Sequence, residues 1–193
     1  MRIALRFLPA TAALALAACF GGKVPPTLLT LTSQAPPSSD LIRGAEAGKT
    51  VTIDVPLVAK ELRQLRVPVQ ETPGAVTYIK GLQYVDTPDR LFQMLLTETV
   101  KRTTSRVVLD PRQSTFDPGV RMTGTLERFG YDTATQAVLV TYDAALSSGS
   151  GTRVQTRRFT ASVPSDGTPA SVGQALNVAA NAVAVQAAQW IGE

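Results

Sequence analysis

Alternation of apolar and polar residues predicts a series of β-strands in this chain. The clearest case is residues 50–56, TVTIDVP, in which Val51, Ile53 and Val55 would share one buried face. Other runs are short and rich in β-branched residues, and turn residues separate them. These runs are 27–32, 66–70, 75–79 and 107–109. The pattern therefore indicates several short strands rather than one long one.

Three longer alternating stretches follow, with turn residues between them. They span 120–131, 138–144 and 153–163. Long strands that follow one another across short turns favour an antiparallel meander. The apolar positions change from even to odd numbers near Glu127-Arg128, which predicts a β-bulge at that point.

Two stretches have the 3.6-residue periodicity of α-helices, and a Thr-Pro pair precedes each of them. Thr87 and Thr168 would cap the helices, because the proline that follows each threonine suits the first helical position. The predicted buried side of the first helix is Leu91, Phe92, Leu95, Leu96 and Thr99. That of the second, which runs to about Ile191, is Val172, Leu176, Ala179, Val183, Ala187 and Trp190. Four polar residues interrupt the second helix: Gln174, Asn177, Asn181 and Gln189.

The order of these elements is strands, helix, strands, helix, which predicts an α+β fold. We expect a single domain over residues 27–193, with a mostly antiparallel sheet and two main helices packed on it. The length is that of one ordinary domain. The sequence contains neither an internal repeat nor a heptad pattern.

The N-terminus has the pattern of a bacterial export signal, with two arginines before an apolar stretch too short to span a bilayer. The motif LAAC at residues 16–19 resembles the lipobox of bacterial lipoproteins. We therefore expect residues 1–18 to be a lipoprotein signal peptide and Cys19 to be the site of lipid attachment. Residues 19–26 would be a lipidated tether, of which residues 20–26 would span roughly 20 Å when extended. An ordinary secretory signal or an uncleaved N-terminal anchor is the alternative.

Lipidation would give Cys19 a diacylglycerol on its thiol and a third acyl chain on its amine. Three chains exceed the roughly two lipid signals that stable anchoring needs. Phe20, and not an aspartate, follows the cysteine. By resemblance to the usual lipoprotein sorting rule, this favours the outer membrane of a Gram-negative bacterium, with the domain on its periplasmic face.

The composition excludes several classes of site. The chain has no His and one Cys, so Ser-His-Asp or Cys-His catalysis, a His metal site, an intramolecular disulfide and a CxxC pair are excluded. The formal net charge of +4 would fall to +2 when Arg2 and Arg6 leave with the signal peptide. We therefore expect no nucleic-acid partner.

No catalytic residue, cofactor site or metal site is predicted, and we expect a protein that is not an enzyme. The GxSxG, P-loop and SxxK motifs are absent. The segment 77–80, TYIK, imitates an SxxK pair but is better explained as a strand with an exposed lysine. Asp86 and Asp89 could serve a glycosidase as paired carboxylates, yet both fit a capping role at the first helix.

Two basic clusters have no assigned role in this picture. One is Lys101, Arg102 and Arg106, and the other is Arg153, Arg157 and Arg158. They are either solvated ends of elements or contacts for an acidic protein or lipid head groups.

Several local patterns, taken in order, resemble the ABC-type transport auxiliary lipoproteins, the PqiC-like family of periplasmic lipoproteins. The resemblance covers about residues 16 to 191 and rests on many short pieces. The pieces are the lipobox Cys19 with its Pro-rich tether, Leu29-Thr30-Leu31, the strand 51–56, Val67-Pro68-Val69, the segment from Val76 into Asp86-Thr87-Pro88, Leu91-Phe92-Gln93, Leu95-Leu96, Leu126-Glu127-Arg128-Phe129 and the Ala-rich last helix. One departure is Tyr84 or Val85 where many members have a Trp.

The resemblance implies an auxiliary role beside ABC transporters and MCE proteins, which move lipids or other hydrophobic solutes across the envelope. The expected partners are an MCE-type periplasmic protein, an ABC permease and ATPase, and the membrane through the lipid anchor. A homo-oligomeric ring is a further expectation. Two other classes remain open, which are an assembly lipoprotein of another outer-membrane complex and a lipid-anchored periplasmic hydrolase.

Overall fold

Nine strands form one mixed sheet, and two α-helices pack against one of its faces. The structure, a computed structural model, describes residues 27–37, 44, 48–112, 119–148 and 153–192. The elements are β1 Thr27–Leu29, β2 Thr50–Ile53, β3 Leu57–Val58, a 3₁₀ turn Lys60–Leu62, β4 Arg66–Thr72, β5 Ala75–Tyr84, α1 Pro88–Thr103, β6 Val107–Leu109, β7 Val120–Asp132, β8 Ala137–Ser148, β9 Val154–Pro164 and α2 Pro169–Gly192. The predicted signal peptide 1–18 and tether 19–26 lie outside the described residues.

Strand β7 organises the sheet. On one side it pairs with β8, which pairs with β9, and these long pairs are antiparallel. On its other side, β2, β3 and β4 pair with it in parallel, one after another along its length. Strand β6 extends the sheet from β2, while β5 and then β1 extend it from β4. The predicted single α+β domain, its meander and the bulge between Leu126 and Arg128 are confirmed.

Aromatic side chains fill the centre of the core, between α1 and the sheet. The Phe92 ring of α1 lies 6.4 Å from that of Phe129 and 5.0 Å from that of Tyr142. Tyr84 completes the group, 5.8 Å from Phe129. Both tyrosine hydroxyls donate to backbone carbonyls, of Phe129 and of Thr123. Burial raises the pKa of Tyr84 and of Tyr142, so both remain neutral hydrogen-bond donors.

The helix faces predicted from periodicity are buried as expected, but the two predicted threonine caps differ. Thr168 accepts a hydrogen bond from the Ser171 N–H at 3.4 Å and donates to Asp166 at 2.7 Å. Thr87 occupies the N-cap position of α1 without a side-chain capping bond. The Asp86 carboxylate accepts the N–H of Thr87 itself, at 2.7 Å.

The expected burial of Val55 is wrong. Val51 and Ile53 are almost completely buried, but Val55 is 46% exposed. Strand β2 ends at Ile53, and just past it the Asp54 N–H donates to the Met122 carbonyl, at 2.9 Å. The chain then leaves the sheet until β3 rejoins β7 at Leu57, so Val55 continues the alternation without a partner strand.

Asp132 closes the turn between β7 and β8, and its replacement should make stability depend less on pH. Burial by itself raises the pKa of this carboxyl, but hydrogen bonds from the Thr135 and Ala134 N–H groups and from Arg128 outweigh it and hold the pKa below its usual value. A depressed pKa stabilises the fold above the unfolded value of about 4, and this contribution is lost as the pH falls through the folded pKa.

We therefore expect Asp132→Ala to lower the free energy of unfolding by about 1–3 kcal/mol at pH 7 and by much less at acid pH. Urea denaturation at both pH values measures the difference. Thr135→Ala is the control, because it keeps the N–H that donates to Asp132. An equal loss for Asp132→Ala at the two pH values would contradict the assignment.

Candidate functional site

The segment that follows β1, residues 30–37, crosses the outside of α2 and is called the strap here. It forms no strand, yet its backbone is hydrogen-bonded as a strand would be. The Thr32 N–H donates to the Asn177 side-chain oxygen at 2.8 Å, and the Gln34 N–H donates to that of Asn181 at 2.8 Å. The Asn181 amide nitrogen donates in turn to the Thr32 carbonyl at 2.9 Å. The side chains of two asparagines one helical turn apart thus form the hydrogen bonds that a neighbouring strand would otherwise make to the strap.

The strap is tied to both helices. Asn181 is 3% exposed, and its amide also donates to the Asn177 carbonyl at 2.8 Å. Further along, the Arg102 guanidinium of α1 donates to the Ala35 carbonyl at 2.8 Å. Ala35 is itself buried. The chain that enters the domain at β1 is therefore fixed across the helical layer before it reaches the rest of the sheet.

A shallow groove runs between β1 with its strap and the first half of α2. Apolar residues, among them Leu28, Leu82, Gly173 and Val178, line much of it. Leu28 is 61% exposed, and Val178 is also exposed. The predicted polar interruptions at Asn177 and Asn181 are therefore contacts to the strap, which the helical pattern alone did not indicate.

Most of the residues in the two predicted basic clusters make hydrogen bonds, ion pairs or ring contacts within the fold. Arg102 bridges Glu98 and the strap, and Arg106 donates to the Ile191 carbonyl at 2.6 Å. Arg158 forms two hydrogen bonds to Asp143, and this contact lowers the pKa of that carboxyl. Arg157 lies over the Phe159 ring, 5.5 Å from its centroid. Neither predicted cluster therefore forms a single converging cationic site in the described chain.

The carboxylate pair considered from the sequence belongs to the start of α1. Asp86 accepts the Thr87 N–H and lies 4.0 Å from Arg90, while Asp89 is in the first turn of the helix. Lys80 lies on β5 and is exposed, as the strand interpretation of segment 77–80 predicted. In the described part of the chain, no three His, Cys, Asp or Glu residues are grouped to hold a metal ion. Neither helix there is long and apolar enough to cross a membrane.

We expect Asn181→Ala to free the strap. The change removes the acceptor of the Gln34 N–H and the donor to the Thr32 carbonyl, and should cost about 1–3 kcal/mol. Hydrogen exchange of the Gln34 amide should then become at least several-fold faster. Gln174→Ala, at an exposed position on the same helix, is the matched control. Unchanged exchange at Gln34 would show that the strap is held without Asn181.

Comparison with known proteins assigns this chain to a family. A profile of the family described as ABC-type transport auxiliary lipoprotein component matches residues 29–188. No curated protein matches the sequence significantly.

Several solved structures share the fold. A Xanthomonas campestris protein assigned to DUF330 is 20% identical, with a TM-score of 0.71, and the match covers 85% of this chain and 94% of that one. An uncharacterized protein is 11% identical, with a TM-score of 0.67 and coverages of 87% and 99%. The PelC dodecamer from Paraburkholderia phytofirmans, 16% identical with coverages of 80% and 91%, has a TM-score of 0.45, too low to bear on the assembly of this chain. On the profile match, this chain belongs to the family of ABC-type transport auxiliary lipoprotein components.

Proposed function

We propose that this protein is a non-enzymatic lipoprotein, anchored through Cys19 to the periplasmic face of the outer membrane. It serves an ABC/MCE-type transporter that moves lipids or other hydrophobic solutes across the envelope. The family match over residues 29–188 carries the proposal, because it spans nearly all of the domain that follows the lipobox. A separate inner-membrane ATPase supplies the energy, since the sequence has no P-loop.

The layout of the domain suits a docking role. Its first strand, β1, begins eight residues after Cys19, so the anchor holds the domain close to one surface. Confinement of this kind raises the effective concentration of the domain for a partner in the same envelope. The described side chains offer hydrogen bonds and apolar contacts, and none of their clusters resembles a nucleophile with its base.

Self-assembly is a further part of the proposal. In the described sheet, β6 pairs with β2 alone and β9 pairs with β8 alone, so both are edge strands. Edge strands accept a strand from another chain, so a ring of subunits closes through one of these edges. Native mass spectrometry in mild detergent tests the ring, and a monomer as the single species would contradict it.

Crosslinking in the intact envelope, followed by purification of this protein, tests the transport role. We expect an MCE-type protein and an ABC permease or ATPase among the crosslinked partners. The Cys19→Ala variant is the control, because it removes the anchor and leaves the domain unchanged. Enrichment of outer-membrane assembly factors in place of transporter components would overturn the transport role and favour the assembly alternative.

A further inference from the structure

Three neighbouring strands place Leu28, Gln83 and Arg66 in one row across the sheet. Leu28 of β1 is in register with Gln83 of β5, which is in register with Arg66 of β4. The residues beside them point the other way, into the core: Leu29 and Leu82 approach Gly173 of α2, and Val67 is fully buried. Because side chains alternate along a strand, the row lies on the face opposite the helices, with Leu28 at the edge of the sheet, where it also borders the groove beside α2.

The chemistry of this row is apolar, aromatic and cationic. Leu28 is 61% exposed. The Arg66 guanidinium carbon lies 4.1 Å from the centroid of the Tyr78 ring, and Gln64 contacts both Arg66 and the Tyr78 hydroxyl. Lys80 is exposed two residues further along β5. We call Leu28, Arg66, Tyr78 and Lys80 the tether-side patch. Among the described carboxylates, none forms an ion pair with its two cations.

The patch lies where the chain from Cys19 enters the domain. Even fully extended, the eight steps from Cys19 to Thr27 reach about 28 Å, and Leu28 is the next residue. A second basic region lies at the opposite end of the sheet, where Arg106 and Arg153 are near Val120. Strand β7 begins at Val120 and meets β4 only at Tyr131, about 36 Å of strand further on. Of the two basic regions, the tether-side patch is the one held near the anchor.

Acidic side chains limit how the patch can meet a negative surface. Beside Pro68, the next residue of β4 on the same face, a surface pocket is lined in part by Glu61, Glu127 and Asp132. Arg128 in that pocket is already paired with Asp132 at 3.0 Å. A flat approach would bring these carboxylates towards the surface, whereas an approach along the β1 edge keeps them away from it.

We propose that the tether-side patch rests on the anionic phospholipid head groups of the membrane that holds the anchor, with the β1 edge facing the lipid. Arginine and lysine are attracted to anionic head groups, a tyrosine suits the interfacial region, and Leu28 adds apolar contact. The inference rests on the proposed lipidation of Cys19. It assigns the distal end of the sheet, with Arg106 and Arg153, to the side that faces away from this membrane.

Lipid-headgroup quenching on the full lipoprotein tests this orientation. Cys19 is the only cysteine, so once it is acylated an introduced cysteine is the one thiol that takes a bimane label. Two variants carry the label, Leu28→Cys in the patch and Val154→Cys at the distal end, and both native side chains are 61% exposed. The protein is reconstituted in phosphatidylcholine vesicles with or without phosphatidylglycerol, each containing a spin-labelled head group.

We expect the label at position 28 to be quenched more than that at 154, and only when phosphatidylglycerol is present. Added salt should reduce the quenching. Each of Arg66→Gln and Lys80→Gln should lower the docking equilibrium about fivefold. The matched control is Arg153→Gln with Arg157→Gln, which should leave quenching at position 28 unchanged.

Equal quenching at the two positions, stronger quenching at 154, or no difference between the two vesicle compositions would each overturn the inference. Flotation of the same vesicles separates this failure from failure of the anchor. A protein that does not float with either vesicle contradicts the proposed lipidation, whereas one that floats but is not quenched at position 28 contradicts the orientation alone. Unchanged thermal melting of the variants shows that they are folded.

Discussion

Replacement of Cys19 by alanine is expected to release nearly all of the protein from the membrane fraction. Each buried CH₂ of an acyl chain contributes about 0.8 kcal/mol, and one chain alone gives only marginal binding. Three chains exceed what stable anchoring needs, while the tether-side patch by itself offers only two cations, one tyrosine and one leucine. Removing the thiol therefore removes most of the attraction to the membrane. Fractionation of the envelope with immunodetection measures the loss.

Phe20→Ala is the matched control for this experiment, since it changes the neighbouring residue and keeps the acylated thiol. It should fractionate as the unmodified protein does. Mass spectrometry of the N-terminal peptide provides a second readout, because the acylated cysteine is heavier by its lipid chains. If Cys19→Ala remained in the outer membrane at the normal level, the lipid anchor would be wrong.

Replacement of Phe92 by alanine should bring the domain close to unfolding. This ring is fully buried between the rings of Phe129 and Tyr142, so truncation loses its contacts and leaves a cavity that the rigid sheet cannot close. Losses for such changes are about 3–5 kcal/mol, against a total stability of about 5–15 kcal/mol for most domains. Urea denaturation followed by far-ultraviolet circular dichroism measures the change.

Met94 offers a control on the same helix. It is 59% exposed, so Met94→Ala should change the free energy of unfolding by less than about 0.5 kcal/mol. Phe92→Leu should fall between the two, because it keeps part of the volume. Equal losses for Phe92→Ala and Met94→Ala would mean that the aromatic group does not form the centre of the core.

Features that depend on local geometry could be predicted from the sequence. The faces of α1 and α2 follow from 3.6-residue periodicity, and the bulge near Arg128 follows from a change of phase in an alternating strand. The length of a strand depends on its partner strands as well as on the local pattern. Val55 continues the alternation but lies beyond the end of β2, and it is exposed. Capping is also sensitive to neighbours, since Thr87 lies at the N-cap position of α1 but its side chain forms no capping bond, while Asp86 accepts the N–H of Thr87.

Features that join distant segments could not be predicted. Thr32 and Asn177 meet across 145 positions of sequence, and an asparagine in a helix gives no sign of the backbone it will bind. The close approach of β4 to β7 is another feature that could not be predicted from the sequence. A Cβ on Gly130 would lie 2.4 Å from the Pro68 carbonyl oxygen, so glycine is needed there, yet its sequence context does not indicate it.

The same division applies to the functional residues. Cys19 stands out because an export signal and its cysteine are contiguous, and it stays a prediction that fractionation can test. The tether-side patch is invisible in the sequence, since Leu28, Arg66 and Lys80 come from three separate strands. Only the strand registers align Leu28 with Arg66, through Gln83 of the strand that carries Lys80.

The strap also determines how the domain bears mechanical load. Tension on the anchor enters at Thr27, reaches the three paired residues of β1, and then passes to the hydrogen bonds of Asn177, Asn181 and Arg102. These attachments come first along the chain from the anchor, so we expect them to open before the aromatic core does. If the β1 pairs and the strap hydrogen bonds open, residues 27–37 add about 36 Å to the extended chain between the anchor and the core, while α1, α2 and the meander stay folded. We therefore expect the segment between the anchor and the core to lengthen in steps under tension before the core unfolds.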